Sequence, residues 1–233
     1  MKIAIMQPYL LPYIGYWQLI ACSDVFVLLD DVNFKPRSWI SRNRYYCDCS
    51  DRLFHIPVSD ASQNRLIQDT QFLYIKEQRV DLISTFQYAY RKAPFREAGS
   101  DLLRVILMNQ DTDVTSFLLK SMTLVMNYLQ IDSSIMRASC LRSPQHARKA
   151  EGIIELCKSL GADVYVNLPG GRRLYSRKLF QSKQLELRFL EPDKNRLQLL
   201  SGSIPFDLSI IDLIMRFSPT EIIDMLSYYS LCL

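Results

Sequence analysis

The chain has 233 residues, 48% of them hydrophobic, with 28 Lys and Arg against 24 Asp and Glu for a net charge of +4. This composition excludes a disordered chain, and so mild a charge argues against stable nucleic-acid binding while permitting an anionic ligand such as a nucleotide. No run of about 18 apolar residues exists, so no membrane span is expected.

Met1 leads straight into an apolar run with no secretory leader pattern, so a cytoplasmic location is expected. The six cysteines, Cys22, Cys47, Cys49, Cys140, Cys157 and Cys232, lack zinc-site spacing and read as small packing residues of a reduced compartment.

In chain order, Lys2 to Met6 is a short apolar run that Gln7-Pro8 ends, which suits a buried parallel strand. Pro8 and Pro12 force a loop, and Gly15 to Cys22 reads as a short helix. Val25 to Leu29 is a second strand ending at Asp30-Asp31, which completes a right-handed βαβ unit. Residues 33–50 form a polar, cationic loop or hairpin, followed by strands at Leu53–Val58 and Phe72–Ile75.

Two helices from Glu77 to Leu107 break near Ala93-Pro94, and another runs from Asp113 to Leu129 with a cap at Thr112 or Asp113. Ser134–Ser139 reads as a strand, Gln145–Leu160 as a helix stopped by Gly161, and Asp163–Asn167 as a strand. After Leu168-Pro169-Gly170-Gly171 come a helix from about Leu174, a strand Leu185–Leu190, and helices Leu208–Arg216 and Pro219–Tyr229. Ser218, Pro219 and Glu221 are the cap, first and third residues of the last helix. The alternation predicts one parallel-sheet α/β domain over residues 1–233, Rossmann-like, with a helical insertion at about 77–130 and C-terminal helices.

In such a sheet, ligands bind beyond the carboxyl ends of the strands. Three strand ends carry polar loops there: Gln7 to Gly15, Asp30 to Arg44, and Asn167 to Arg173. Gly15 at a helix start either admits a phosphate to the backbone or lets the helix pack on the sheet. Asp30 and Asp31 are candidates for a magnesium ion, a ribose hydroxyl or a proton, or else a solvated strand-end turn. Lys35, Arg37, Arg42 and Arg44, interleaved with Trp39 and Asn43, suit anion recognition. Gly170-Gly171 is either a phosphate-cradling turn or a tight left-handed one. Asp212, in an apolar helix, either pins an arginine or faces the site. His55 and His146 stand in no metal or triad spacing, and no Walker, Gly-x-Ser-x-Gly or dinucleotide motif is present.

Gln7-Pro8-Tyr9, Pro12 to Tyr16, Asp30 to Phe34, Trp39 and Arg42-Asn43 resemble the WbqC-like protein family, as do Tyr165-Val166-Asn167, Gly170-Gly171 and Leu208 to Asp212. Leu10-Leu11 and Pro205-Phe206-Asp207 depart from its pattern, and Asp207 alters the rim of the expected pocket. The resemblance implies a setting in bacterial O-antigen or other surface-polysaccharide biosynthesis, and an acyl or aminoacyl transferase (glycine among the candidates) acting on an amino-sugar nucleotide.

Tyr13-Ile14-Gly15-Tyr16 is also similar to the His-x-Gly-His site of nucleotidyltransferases and pantothenate synthetase, with both histidines replaced by Tyr13 and Tyr16. That likeness implies ATP or another nucleotide, with magnesium, as a candidate cofactor. The expected catalytic residues are Asp30, Asp31 and Lys35; Gln7, Tyr13, Gly15, Tyr16, Arg37, Trp39, Arg42, Asn43, Asn167, Gly170, Gly171 and Asp212 are expected to bind substrate. Nucleotidyl transfer to a sugar phosphate, or a nucleotide-binding scaffold without turnover, are the alternatives.

Overall fold

The structure, a computed structural model, describes residues 1–141 and 150–233. The first unit is β1 (Lys2–Met6), α1 (Ile14–Ala21) and β2 (Val25–Leu28), and its two strands pair in parallel with Ile3 opposite Val25. A hairpin follows, β3 (Arg42–Cys47) and β4 (Ser50–His55), turned at Asp48 and Cys49, which both have positive φ. The short strands β5 (Val58–Ser59) and β6 (Gln71–Phe72) pair with each other.

Three helices come next: α2 (Lys76–Ala89), α3 (Arg96–Leu107) and α4 (Val114–Tyr128). The break between α2 and α3 falls around Pro94, and the Asp113 side chain caps α4 by accepting from the Ser116 amide. The strand β7 (Ser134–Arg137), helix α5 (Ala150–Ser159) and strand β8 (Val164–Asn167) follow, with Gly161 in the left-handed conformation just past α5. The expected first turn of that helix, Gln145 to Lys149, and His146 with it, lie outside the described residues.

After β8 a short 3₁₀ helix, Pro169–Arg173, leads to α6 (Arg177–Ser182) and β9 (Glu186–Pro192). The chain closes with α7 (Lys194–Ser201), α8 (Ile210–Arg216), α9 (Pro219–Met225) and β10 (Tyr229–Cys232). Ser218 and Glu221 form the expected capping box at α9.

The main sheet has the order β10-β9-β8-β1-β2-β7, and every neighbouring pair is parallel except β10 with β9. Alternation along the strands divides the core in two. Ala4, Phe26, Leu28 and Val166 face a cluster built with α1, α3, α4 and α8, while Ile3, Ile5, Val27 and Tyr165 face one built with α5 and α6. The chain is thus a mixed α/β protein with helices on both faces of a mostly parallel sheet.

Several expectations need correction, and α7 was not among the expected elements. The helix expected from Leu174 starts at Arg177, because the 3₁₀ turn occupies the preceding residues. Neither Gly170 nor Gly171 has positive φ, so that pair is not a left-handed turn. The last helix ends at Met225 rather than Tyr229; Tyr229 to Cys232 instead pair antiparallel with β9. The helix α7 lacked a sequence signal because its charged face and exposed Leu199 and Leu200 conceal the inward Leu197.

Candidate functional site

The strand order reverses between β1 and β8: β2 and β7 extend the sheet on one side of β1, and β8 and β9 on the other. The loops leaving β1 and β8 therefore part in opposite directions and leave a crevice at their carboxyl ends. A cavity of about 590 Å³ lies there, reached by Tyr9, Pro12 and Tyr13 after β1, by Pro169 after β8, by Pro192 at the end of β9 and by Lys194 after it. The loop entering the hairpin contributes Trp39, the hairpin Asn43 and Arg44, and the segment before α8 Phe206 and Asp207. Four aromatic rings and three prolines form the walls, so its polar groups are few and distinct.

Arg44 ties the rim together. It donates to Asp51 on β4 at 2.8 Å and to Asp207 at 2.9 Å, joining the hairpin to the segment before α8. The Trp39 ring lies 5.9 Å from the Arg44 guanidinium and 5.5 Å from that of Arg42, and the ring face holds both cations close. Asp207 keeps one oxygen on Arg44 while its side chain stays half exposed, so a carboxylate stands at the mouth with a fixed orientation.

The loop after β1 is fixed from several sides. Leu11 is buried with φ 44°, a conformation that an L residue adopts only when its surroundings demand it. The demand comes from Asn43, whose amide donates to the carbonyls of Leu10 and Leu11 at 2.8 Å each, and from Ser209, whose hydroxyl donates to Leu11 at 3.0 Å. Trp17 adds an indole bond to the Pro12 carbonyl, and the Leu10 amide donates to Trp39. Asn43 therefore both lines the cavity and clasps the loop that forms its wall.

Tyr13, the cap residue of α1, and Tyr16, in its first turn, have different surroundings. Tyr13 lines the cavity, and burial pushes its pKa up to about 12. Tyr16 is wholly buried under Tyr9 and Phe26 and donates to the Gln7 carbonyl at 2.8 Å; burial holds its pKa well above the usual value. Both are neutral phenols at neutral pH. Gly15 leaves space for neither a ligand nor the sheet but for Tyr13: an added β-carbon would meet the Tyr13 ring at 2.5 Å.

The other expected residues scatter. Asp30 is fully buried; it accepts from Arg137 Nε at 2.9 Å and from the amide and hydroxyl of Ser139 at 2.9 and 2.7 Å. Its carboxylate thus joins the ends of β2 and β7. Asp31 follows it and is partly buried. Among the described residues no group of three or more His, Cys, Asp or Glu gathers to hold a metal ion. Lys35 and Arg37 are exposed on the loop before the hairpin and lie outside the cavity lining, while Arg42 covers Trp39.

Asn167 donates to the Tyr165 hydroxyl and accepts from the Leu168 amide, and Gly171 is a glycine because a β-carbon would fall 2.8 Å from the Asn167 amide nitrogen. Gly170 is exposed with open space around it. Asp212 pairs with Arg216 and accepts from the Tyr90 hydroxyl at 2.8 Å, so of its two expectations the pinned arginine holds. Burial, against the pull of Arg216 and Tyr90, raises its pKa.

Sequence reasoning did not single out Lys194 or Pro192, and treated Phe206 and Asp207 only as part of a departure from the family pattern that alters the rim. A cation just after a strand end was the available signal for Lys194. It was hidden because residues 191–203 showed no apolar periodicity from which to place a helix.

Comparison with known proteins agrees over the same span. An uncharacterized protein of Mycobacterium tuberculosis, Rv1507c, is 26% identical over 235 aligned residues, covering 97% of this chain and 98% of the relative. No solved structure matches. The model of the WbqC-like protein family matches residues 7–224, from the loop after β1 through α9. The chain belongs to the WbqC-like protein family.

Proposed function

We propose that this protein is a transferase that binds a nucleotide-linked amino sugar in the cavity, on a Rossmann-like sheet, and joins a small acyl or aminoacyl group to its amine. One observation carries the reading: at the reversal of strand order, ring-sized aromatic walls enclose one ammonium, Lys194, and one mouth carboxylate, Asp207. Tyr9, Tyr13, Trp39 and Phe206 offer faces for a sugar or base, and Lys194 offers charge to a phosphate.

In the reaction the amine nitrogen forms a bond to the activated carbonyl carbon and the leaving group departs with its bonding electrons. Asp207 takes the amine proton, and Arg44 holds that carboxylate in place. Asp30 acts as a positioning residue for the strand ends. The setting in surface-polysaccharide biosynthesis that the family resemblance implies supplies the acceptor class.

Nucleotidyl transfer is the weaker reading. The tyrosines standing where that chemistry uses histidines are neutral, and Tyr16 is spent on the Gln7 carbonyl.

The test is mass spectrometry of the protein incubated with a panel of nucleoside-diphosphate amino sugars and acyl donors, thioesters as well as amino acids with ATP. A product heavier by one acyl group is expected. Asp207→Asn should lower its rate by about 10²–10⁴-fold with the unfolding midpoint unchanged. Pyrophosphate released from a triphosphate and a sugar phosphate would replace this reading with nucleotidyl transfer. Nucleotide binding without any product would leave a scaffold.

A further inference from the structure

A second cavity, of about 430 Å³, adjoins the first. It is lined by Glu191 and Pro192 at the end of β9, by Asp193, the cap of α7, with Lys194 and Asn195 after it, and by Pro169. Pro169, Pro192 and Lys194 line both cavities, so the two are chambers of one site with a shared wall.

The chambers differ in chemistry. The first has four aromatic rings in its walls, whereas the second, among the described residues, has none and presents two carboxylates and the Asn195 amide. Each carboxylate has one oxygen engaged. Glu191 pairs through Oε1 with Arg172 at 2.5 Å, and Asp193 accepts from the Arg196 amide on Oδ1 at 3.0 Å. Their other oxygens and the Asn195 side chain make no hydrogen bond among the described residues. Lys194 stands in sequence between the two carboxylates yet pairs with neither, which leaves a cation uncommitted on the shared wall.

We propose that a nucleotide-linked sugar lies across this wall in one sense, with its ribose in the second chamber, its diphosphate at Lys194 and its sugar in the first. The direction rests on the transfer reading above, because Asp207, which takes the amine proton there, lines the first chamber and not the second. Glu191 then decides specificity for a ribonucleotide. Its second oxygen accepts from a ribose hydroxyl, the part that a carboxylate near a parallel strand plays in dinucleotide folds. Lys194 meets the phosphates as a point charge, and the rings of the first chamber cover the apolar face of the sugar.

Titration calorimetry with the four common ribonucleoside diphosphates tests it, the tightest binder being repeated as its 2′,3′-dideoxy form. Glu191→Ala should weaken the ribose form about ten-fold or more and leave the dideoxy form unchanged. Lys194→Gln should weaken both forms. The Arg172–Glu191 pair is 42% and 40% exposed, so its loss should leave thermal unfolding as in the parent. Arg172→Gln is the control, and an equal loss in that variant would trace the effect to the ion pair and overturn the hydroxyl contact. Fluorescence reads the direction, since Trp39 lines the first chamber and Trp17, the other tryptophan, is fully buried. The signal should change with a nucleoside-diphosphate amino sugar and not with the diphosphate alone. Quenching by the diphosphate alone, equal weakening of both forms by Glu191→Ala, or no binding of any diphosphate overturns the proposal. Binding in the expected sense with no acylated product would overturn the transfer reading and leave this placement standing.

Discussion

The Tyr13 ring packs so closely on Gly15 that a β-carbon there would fall 2.5 Å from Cε2. The glycine in the first turn of α1 is therefore required by a neighbour in its own chain, and the ring it accommodates is a wall of the cavity. Gly15→Ala should destabilise the protein by about 1–3 kcal/mol through overpacking. In a Tyr13→Ala background the same change should be neutral, or stabilise by up to about 1 kcal/mol through helix propensity. Denaturant unfolding of the four proteins of this cycle measures the coupling, and additive effects would refute the packing account.

Asp30 illustrates how a strand-end carboxylate can belong to the scaffold. Its oxygens receive three hydrogen bonds from Arg137 and Ser139, and it has no exposed surface. Asp30→Ala leaves Arg137, among the described residues, with only its longer contacts to Asp113 and Ser116, at 3.6 and 3.2 Å. A loss of about 3–5 kcal/mol in unfolding free energy is expected, with turnover falling only as the folded fraction falls. If Asp30→Asn abolished turnover at unchanged stability, Asp30 would belong to the chemistry instead.

Arg79 presents the opposite balance. It is 2% exposed, both terminal guanidinium nitrogens lack a hydrogen-bond partner among the described residues, and burial lowers its pKa. The rings of Phe117 and Tyr74, at 5.1 and 6.0 Å, are its compensation. Cation–π contact is worth about 2 kcal/mol when desolvated, less than the several kcal/mol that burying an ion costs. Arg79→Met should accordingly raise the unfolding free energy, by about 1–4 kcal/mol. A decrease would mean that the rings outweigh desolvation.

The buried tyrosines set an alkaline limit. Burial raises the pKa of Tyr13 to about 12 and holds those of Tyr16, Tyr90 and Tyr165 above the ordinary value of 10.0. A group whose folded pKa exceeds its unfolded one contributes fully below the unfolded pKa and loses that contribution as pH rises to the folded value. For Tyr13 that window runs from 10.0 to about 12. The unfolding midpoint should fall steeply across it, with phenolate absorbance from these rings appearing only as the chain unfolds. Tyr13→Phe should shallow the fall. Phenolate from all thirteen tyrosines below that window in the folded protein would contradict the burial account.

The opening segment was legible because its signals are local. Pro8 and Pro12 can end a ladder and force a loop with no help from elsewhere, and the apolar runs on either side read as parallel strands by length and content alone. Asp113, Gly161 and Ser218 marked helix ends for the same reason: a cap satisfies backbone groups within a few residues of itself. The strand β10 was not legible in this way, since Tyr229 to Cys232 become a strand only by pairing with β9.

The site divides along the same line. Local pattern was enough to put the loops after β1, β2 and β8 at one edge, because parallel strands must align their ends, and to bring Tyr13, Trp39 and Asn43 near that edge. What each side chain does there follows from the assembled fold. It turned Asn43 onto the Leu11 carbonyl, buried Asp30 against Arg137, and brought Lys194 and Asp207 to a cavity whose first wall lies some two hundred residues earlier. A side chain's partner depends on which strands the sheet sets side by side, and that order, reversing between β1 and β8, is a property of the assembled core rather than of any local stretch.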